Sequence, residues 1–393
     1  MNLELTEGRE RARMKLTALN GEWLEFAWGV LADRYQPGQR LLTGAAPTRG
    51  EAQLRMDALA DLVSRIDPDI LFLCEAPKDE ANTLDFADTV LPDYALVTRS
   101  PGDAYNIRGN QWLWFLVKKP LADRINPRLL PISTWRAFAA ASSPSIRDNG
   151  KWNVAIPKLT EVDGVPEVPV TRREEHSHYR HPQTLRFDFG GSVHEVIGCH
   201  LKSKFVSRQP RRRRDDEAFA DYAKLKRVKR YLAESHRARV KLTSEAMNVR
   251  AYIDQRFEQE ADPSIFVVGD INDGPGKELM EREYLLHDMI SNLQGEVFFA
   301  HRFLNHALFD QPQSLRWTVK FKDRIDPQRD PKILLDHILF TQALTRGGTG
   351  PLVVPANGGR VEHLAAEETA ARYGRPAISD HRPISIRLDP RQT

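Results

Sequence analysis

The chain has 393 residues, of which 41% are hydrophobic, enough for a sizeable core, and a formal net charge of only +3. Two cysteines, Cys74 and Cys199, exclude a disulfide framework and show no zinc-ligand spacing. The polar, acidic start from Met1 to Glu10 holds no apolar signal-peptide run, and nothing later reaches the roughly eighteen apolar residues of a membrane span, so a soluble cytoplasmic protein without membrane insertion is expected.

Taken in order, Met14 to Leu19 reads as a strand that runs into Asn20-Gly-Glu22. Trp23 to Tyr35 is helical or irregular, and Pro37 to Gly50 is a turn-rich loop. Leu54, Ala58, Leu62 and Ile66 mark one face of a helix over 51–66, stopped by Asp67-Pro68. Ile70 to Cys74 is a short apolar strand ending at Glu75. A helix over 83–91, a strand over 94–98 and an aromatic strand from Trp112 to Val117 follow.

Residues 129–186 are rich in Pro, Ser and Arg without clear periodicity, and an irregular insertion is expected there. Strands over 184–189 and 193–199 flank Gly190-Gly191 as a hairpin, and the second ends at His200-Leu-Lys-Ser-Lys204. The charge is unevenly spread. From Lys202 to Arg250 there are sixteen Lys/Arg against six Asp/Glu, which leaves the rest net acidic and suggests an anionic partner. A basic helical segment near 211–259 opens with Arg211 to Arg214 and keeps three- and four-residue apolar spacing from Phe219 to Phe257.

Ile265-Phe-Val-Val268 is a buried strand that meets Gly269, Asp270 and Asn272 before Asp273-Gly274 turns the chain. If the strand continues through them, Asp270 and Asn272 share a face. The last strands are 333–340, containing Asp336 and His337, and 384–388, preceded by Ser379-Asp380-His381. Six strand ends or adjacent loops thus carry Asn20/Glu22, Glu75, His200, Asp270/Asn272, Asp336/His337 and Ser379 to His381. Carboxylates, amides and histidines without clustered Cys suit Mg²⁺ or Mn²⁺ rather than zinc. Together they suit hydrolysis of a phosphate ester, in which a metal neutralises the phosphate, a carboxylate activates water and a histidine meets the phosphate or leaving group.

The ordered motifs Leu19-Asn20-Gly-Glu22, Asp69 to Glu75, His200-Leu-Lys-Ser203, Gly269-Asp-Ile-Asn-Asp273, Leu335-Asp336-His-Ile-Leu339 and Ser379-Asp-His-Arg-Pro383 resemble the endonuclease/exonuclease/phosphatase superfamily, with its DNase I-like fold. They extend over nearly the whole chain. The resemblance implies a single domain over 1–393 and a four-layer α-β-β-α sandwich, with two mixed sheets packed face to face.

It further implies Glu75 as principal metal ligand, with Asn20 beside it, Glu22 as a possible further ligand, and Asp380 as another metal-site carboxylate. Asp270 matches the residue that activates water and Asn272 the amide on the phosphate. His381, oriented by Asp336, matches the catalytic histidine, and His200 the second one. Arg108, Asn110 and Lys202 are candidates to contact substrate phosphate. Two departures stand out: Cys74 replaces the usual Gln before the metal glutamate, and the loop 105–111 lacks the glutamate that pairs with the histidine matching His200 in one branch.

Several residues have plainer readings. His337 alternates away from Asp336 and reads as structural. His176, His178 and His181 read as a solvated loop without carboxylate support. Arg211 to Arg214 are either a solvated face or a nucleic-acid surface, and Trp317 with residues 320–324 is a candidate wall of a substrate groove.

The expected function is a Mg²⁺-dependent phosphodiesterase, Mn²⁺ being a possible substitute, acting as a nuclease on DNA. A phosphomonoesterase or a phospholipid or phosphoinositide phosphodiesterase is the alternative with the same site. A non-catalytic nucleic-acid-binding module is disfavoured, because every main catalytic position holds a competent residue.

Overall fold

The computed structural model describes residues 13–103, 105, 107, 109–141, 151–162, 165–274, 278–283, 289–295 and 297–392. Strands β1 (Met14–Asn20), β2 (Ile70–Ala76), β3 (Tyr94–Leu96), β4 (Trp112–Lys118) and β5 (Arg128–Leu129) come first. They are followed by β6 (Lys151–Val162), β7 (Val165–Ser177), β8 (Gln183–Phe189), β9 (Ser192–His200) and β10 (Ser264–Asp270). The last are β11 (Asn305–His306), β12 (Asp336–Phe340), β13 (Leu352–Val353), β14 (Gly359–Val361) and β15 (Ile384–Pro390).

One sheet has the order β13-β15-β1-β2-β4-β3, with β14 also on β15; the other runs β11-β12-β10-β9-β8-β5. Both are mixed, and each has a parallel pair in its middle. In the first, β1 lies parallel to β2 with Asn20 beside Cys74; in the second, β9 lies parallel to β10 with His200 beside Asp270. Parallel strands end on the same edge, so each pair delivers its C-terminal polar residues side by side. The antiparallel neighbour β12 begins at that edge, pairing Asp336 with Asp270.

The sheets share one continuous core. Phe72, Phe115, Trp114, Phe187, Val196, Phe266 and Ile338 are all fully buried in it. Each such side chain contributes about 1.5–3 kcal/mol by leaving water. The two sheets meet closely where the Phe72 ring lies over Gly198 and Gly269, and a Cβ at either glycine would collide with it. With helices added outside, the α/β architecture is that of a DNase I-like fold and is consistent with the expected four-layer sandwich.

The helices follow local rules. In α1 (Leu24–Leu31) almost every side chain is buried. Helix α2 (Arg49–Ile66) opens with a capping box, Thr48 and Glu51 each satisfying the other's backbone N–H, and closes at Asp67 in the left-handed region. Its buried face is Ala52, Met56, Ala58, Leu59, Leu62, Val63 and Ile66, so three of the four expected positions point inward and Leu54 is the one that is exposed.

The expectation of an irregular 129–186 is corrected. A helix at Ile132–Ala141 is followed by a long antiparallel ribbon, β6 on β7, paired from Lys151↔Ser177 to Val162↔Val165 with a register shift between Lys158 and Thr160. Prolines and charged residues hide its alternation in sequence, and a two-stranded ribbon tolerates them because both of its strands are edges.

The ribbon lies against α3 (Lys226–Gln259), where Val154 and Ile156 meet Val240 and Arg237 pairs with Glu174 at 2.7 Å. The 34-residue α3 is about 51 Å long at 1.5 Å per residue. It does not continue the turn at Phe219–Ala223: Leu225 is extended and separates them. No helix among the described residues is long and apolar enough to cross a membrane.

Candidate active site

Five strand ends from the two sheets, those of β1, β2, β9, β10 and β12, converge on one buried cluster. Asn20, the last residue of β1, donates from Nδ2 to Glu75 Oε1 at 3.4 Å and to Asp270 Oδ2 at 3.1 Å, so it links the sheets. Glu75 Oε2 accepts from the Trp23 N–H at 2.9 Å. Asp270 Oδ1 accepts from the Asn272 N–H at 2.8 Å. His200 Nε2 lies 3.4 Å from Asp270 Oδ2 and 3.8 Å from Glu75 Oε1. His381 donates from Nδ1 to Asp336 Oδ2 at 2.7 Å, and its Nε2 is 3.9 Å from Asp270 Oδ2.

The backbone is bent to make this possible. Glu22, Trp23, Glu75 and Asn272 all have positive φ, between 50° and 59°. Such conformations cost non-glycine residues on the order of 1–3 kcal/mol each and gather where a site fixes them. At Glu75 the bend coincides with a register shift between Leu73 and Ala76 against β4, a bulge that turns the carboxylate toward the other sheet. The idea that Asp270 and Asn272 share a strand face is corrected by the same feature. The strand ends at Asp270, and Asn272 turns its Nδ2 onto the Leu201 carbonyl at 2.9 Å.

Electrostatics separates the two histidines. Burial, with Arg180 and His381 nearby, holds His200 well below the ordinary imidazole range. Burial would lower His381 as well, but Asp336 and Asp270 outweigh it and raise its pKa. Burial pushes the Asp270 carboxyl up, opposed by His381 and reinforced by Asp336 and Glu75. Among the described residues no Lys or Arg forms an ion pair with Glu75, Asp270 or Asp336; their ionic partners are His200 and His381.

The model of the Endonuclease/Exonuclease/phosphatase family matches residues 42–381. The chain belongs to that family. Its members are generally phosphoric ester hydrolases that use divalent metals. No curated protein matched the sequence. Among solved structures, TDP2 from C. elegans is 14% identical with a TM-score of 0.46, over 96% of this chain and 75% of that one. An endonuclease/exonuclease/phosphatase from Bacteroides vulgatus is 11% identical with a TM-score of 0.45, over 96% and 99%. D. rerio TDP2 complexed with single strand DNA product is 11% identical with a TM-score of 0.44, again over 96% and 99%.

For a member of this family, the donor set fits a hard divalent cation. Oxygen donors from Glu75, Asp270 and Asp336 converge with no Lys or Arg paired to them among the described residues, and burial, with Asp336 and Glu75 close by, makes Asp270 hard to ionise. The oxygens of Asp270 and Asp336 and a ring nitrogen of His381 lie within 4.8 Å of one another. A second acidic group, Asp273, Glu278 and Glu281, fits a cation poorly, because Lys204 already bridges Asp273 and Glu278 at 2.6 and 2.7 Å.

The remaining candidates lie around this centre. Asp380 is exposed, and its N–H donates to Glu22 Oε2 at 3.1 Å, which holds both at the rim. Lys202 Nζ donates to the Ser203 carbonyl at 2.7 Å and sits over the Tyr179 ring, away from the carboxylates. Asn110 is half-buried in the loop before β4, and Arg108 lies outside the described residues. His337 points away, to His306 at 2.9 Å and the Asp273 carbonyl at 2.7 Å.

Some residues were not legible beforehand. Arg180 is buried and donates to the His200 and Leu201 carbonyls and to Gln111, fixing the segment that carries His200. Thr318 Oγ1 accepts from the Leu335 and Asp336 N–H groups, while its carbonyl accepts from Arg382, so it ties β12 to the His381 loop. The solvated-loop reading of the His176 group is corrected. His176 bonds Glu245 at 2.9 Å and His178 bonds Asn248 at 3.0 Å, all four buried, and the Lys202 N–H also reaches Glu245. The carboxylate that supports them lies about seventy positions away on α3, so no local signal reveals it.

Proposed function

We propose that this protein is a Mg²⁺-dependent phosphodiesterase, with Mn²⁺ as a substitute, and that it acts as a nuclease on DNA. The observation that carries this reading is the cluster in which Glu75 and Asp270 meet across the two sheets through Asn20, with the Asp336–His381 pair on one side and His200 on the other.

Glu75 would hold the ion, with Asn20 beside it and Asp380 and Glu22 at the rim. When bound, the ion supplies positive charge to the phosphate oxygens. Asp270 is held by the Asn272 N–H and the Asn20 amide, so its carboxylate has a fixed orientation from which to take a proton from water. His381, kept cationic by Asp336, presents Nε2–H to the developing charge on phosphate. His200, held neutral by burial, is suited to accept a hydrogen bond or a proton at Nε2 rather than to pair as a cation. The basic excess over 202–250 favours a polyanionic substrate.

The test is a cleavage panel of plasmid, single-stranded and abasic DNA, RNA, phosphoinositide and sphingomyelin, with Mg²⁺, Mn²⁺ or EDTA. DNA products that require the metal are expected. Turnover of a lipid head group with DNA left intact would replace the nuclease reading by the phospholipid one.

A further inference from the structure

One groove beside the candidate active site has no part in the chemistry above. Its volume is about 250 Å³, and Asn272, Asp380 and His381 close one end. Away from them its walls come from the segment after His200, from α3 and from the chain before β12: Phe205, Tyr231, Phe321 and Ile325. Phe205 is 63% exposed and Phe321 50% exposed. The groove is continuous with the site, so its occupant is a group attached to the phosphate that the site holds.

The floor says what that group is not. Among the described residues its Lys and Arg are all neutralised internally: Lys204 bridges Asp273 and Glu278, Arg239 binds Glu278, and Arg329 lies 3.5 Å from Glu278. A second phosphate finds no uncommitted charge there. Aromatic and aliphatic surface remains, with Ser203, Gln209, Ser235 and Asp323 as its polar groups, in a space below the roughly 300–1,000 Å³ of drug-sized pockets, enough for one ring system with its sugar.

The rim is different. From Arg208 to Arg230 there are ten Lys/Arg against four Asp/Glu; Arg211 to Arg214 and Lys224 pair with acidic neighbours, and Lys226, Arg227 and Arg230 are exposed on the first turns of α3, below Tyr231 in the groove wall. Aromatic walls next to a basic track suit bases joined by phosphates.

We infer that this groove is a base-stacking subsite for single-stranded nucleic acid, in which Phe205 and Phe321 take an unpaired base adjoining the scissile phosphate while the strand continues over the basic rim at 208–230. The inference rests on the phosphodiesterase reading for its substrate, but its test does not need turnover. A paired base is already stacked in its duplex, so the groove selects for single strands or frayed ends.

The experiment is fluorescence anisotropy in EDTA with two labelled oligomers of equal length and charge, one of thymidylate and one abasic throughout. The intact protein is expected to bind the thymidylate oligomer about tenfold more tightly, within the range for stacking one base on an aromatic ring. Phe205→Ala and Phe321→Ala should each reduce that preference while leaving the abasic affinity unchanged, and Phe321→Tyr should keep it. Replacing Lys226, Arg227 and Arg230 together by Ala should weaken both oligomers alike and flatten the salt dependence. Equal affinity for the two oligomers, binding to neither, or Phe variants that weaken both equally would overturn the subsite. Base-dependent binding by a protein that cleaves nothing with Mg²⁺ or Mn²⁺ would instead remove the phosphodiesterase reading and leave the subsite standing. Metal-dependent cleavage with base-blind binding would do the reverse.

Discussion

Asp336 accepts the Nδ1 hydrogen of His381 at 2.7 Å, and this contact alone sets which ring nitrogen faces the carboxylate centre. The two residues lie 45 positions apart and reach each other because β12 begins at the edge where the loop before β15 passes. With Nδ1 committed to Asp336, Nε2 points at Asp270. Asp336→Asn keeps the size of the side chain but removes the charge that holds the imidazole cationic. We expect kcat for phosphodiester cleavage to fall about 10²–10⁴-fold with little change in KM and an unchanged circular dichroism spectrum. A variant with wild-type kcat would show that His381 needs no orienting partner.

Removing the cation should have a distinct signature. EDTA is expected to abolish cleavage, and added Mg²⁺ or Mn²⁺ to restore it. Glu75→Gln should raise the metal concentration for half-maximal rate by at least about tenfold. Titration calorimetry with Mn²⁺ should show the same weakening in the absence of substrate. Unaltered Mn²⁺ affinity in that variant would take Glu75 out of the metal site. Asp270→Asn, by contrast, should abolish turnover even at saturating metal.

The packing between sheets gives a stability prediction. A methyl group at position 198 would enter the Phe72 ring, so Gly198→Ala should lower unfolding stability by about 1–3 kcal/mol in urea titrations. Phe72→Leu in the same chain should recover part of that loss, because the two positions share one contact. Strict additivity of the two substitutions would contradict the close approach described here.

Acid sensitivity should begin earlier than carboxylate titration would suggest. His194 is fully buried between Ser264 and Phe187, and burial lowers its pKa to about 4, opposed by its contact with the Phe189 carbonyl. Its folded pKa is thus below the unfolded value of about 6.5. The unfolded chain therefore binds the proton first, and stability falls as pH drops from about 6.5 toward 4, by up to about 3 kcal/mol. His194→Phe should flatten this limb between pH 6.5 and 4, measured as the urea midpoint at each pH. An unchanged slope would assign the acid limb to other groups.

What the sequence made legible, and what it hid, follows from where the information lies. Glu75, His200 and Asp270 stand out because an apolar run meets a polar residue at each, and parallel pairing then places such ends together. The turn of Asn272 onto Leu201 was hidden, since a positive φ in a non-glycine residue leaves no composition signal. Arg180 and Thr318 act through backbone carbonyls and N–H groups, which every residue has, so nothing in the sequence marks their partners. The ribbon over 151–177 was missed for another reason. Its strands pair with each other rather than entering a sheet, so Pro157, Pro166 and Pro169 could interrupt the alternation that a buried strand would have to keep. His176 and His178 were hidden along with it.

The bond from Asn20 to Asp270 crosses from one sheet to the other, as does the approach of His200 to Glu75. Neither half of the molecule therefore owns a complete set of reacting groups. His381 follows all the others along the chain, so a ribosome must release almost every candidate residue before the set can close. A nascent or partly unfolded molecule, with its sheets apart, would be chemically silent toward nearby phosphodiesters. Docking of the two sheets would then complete the set, and loss of activity during mild denaturation should precede loss of secondary structure.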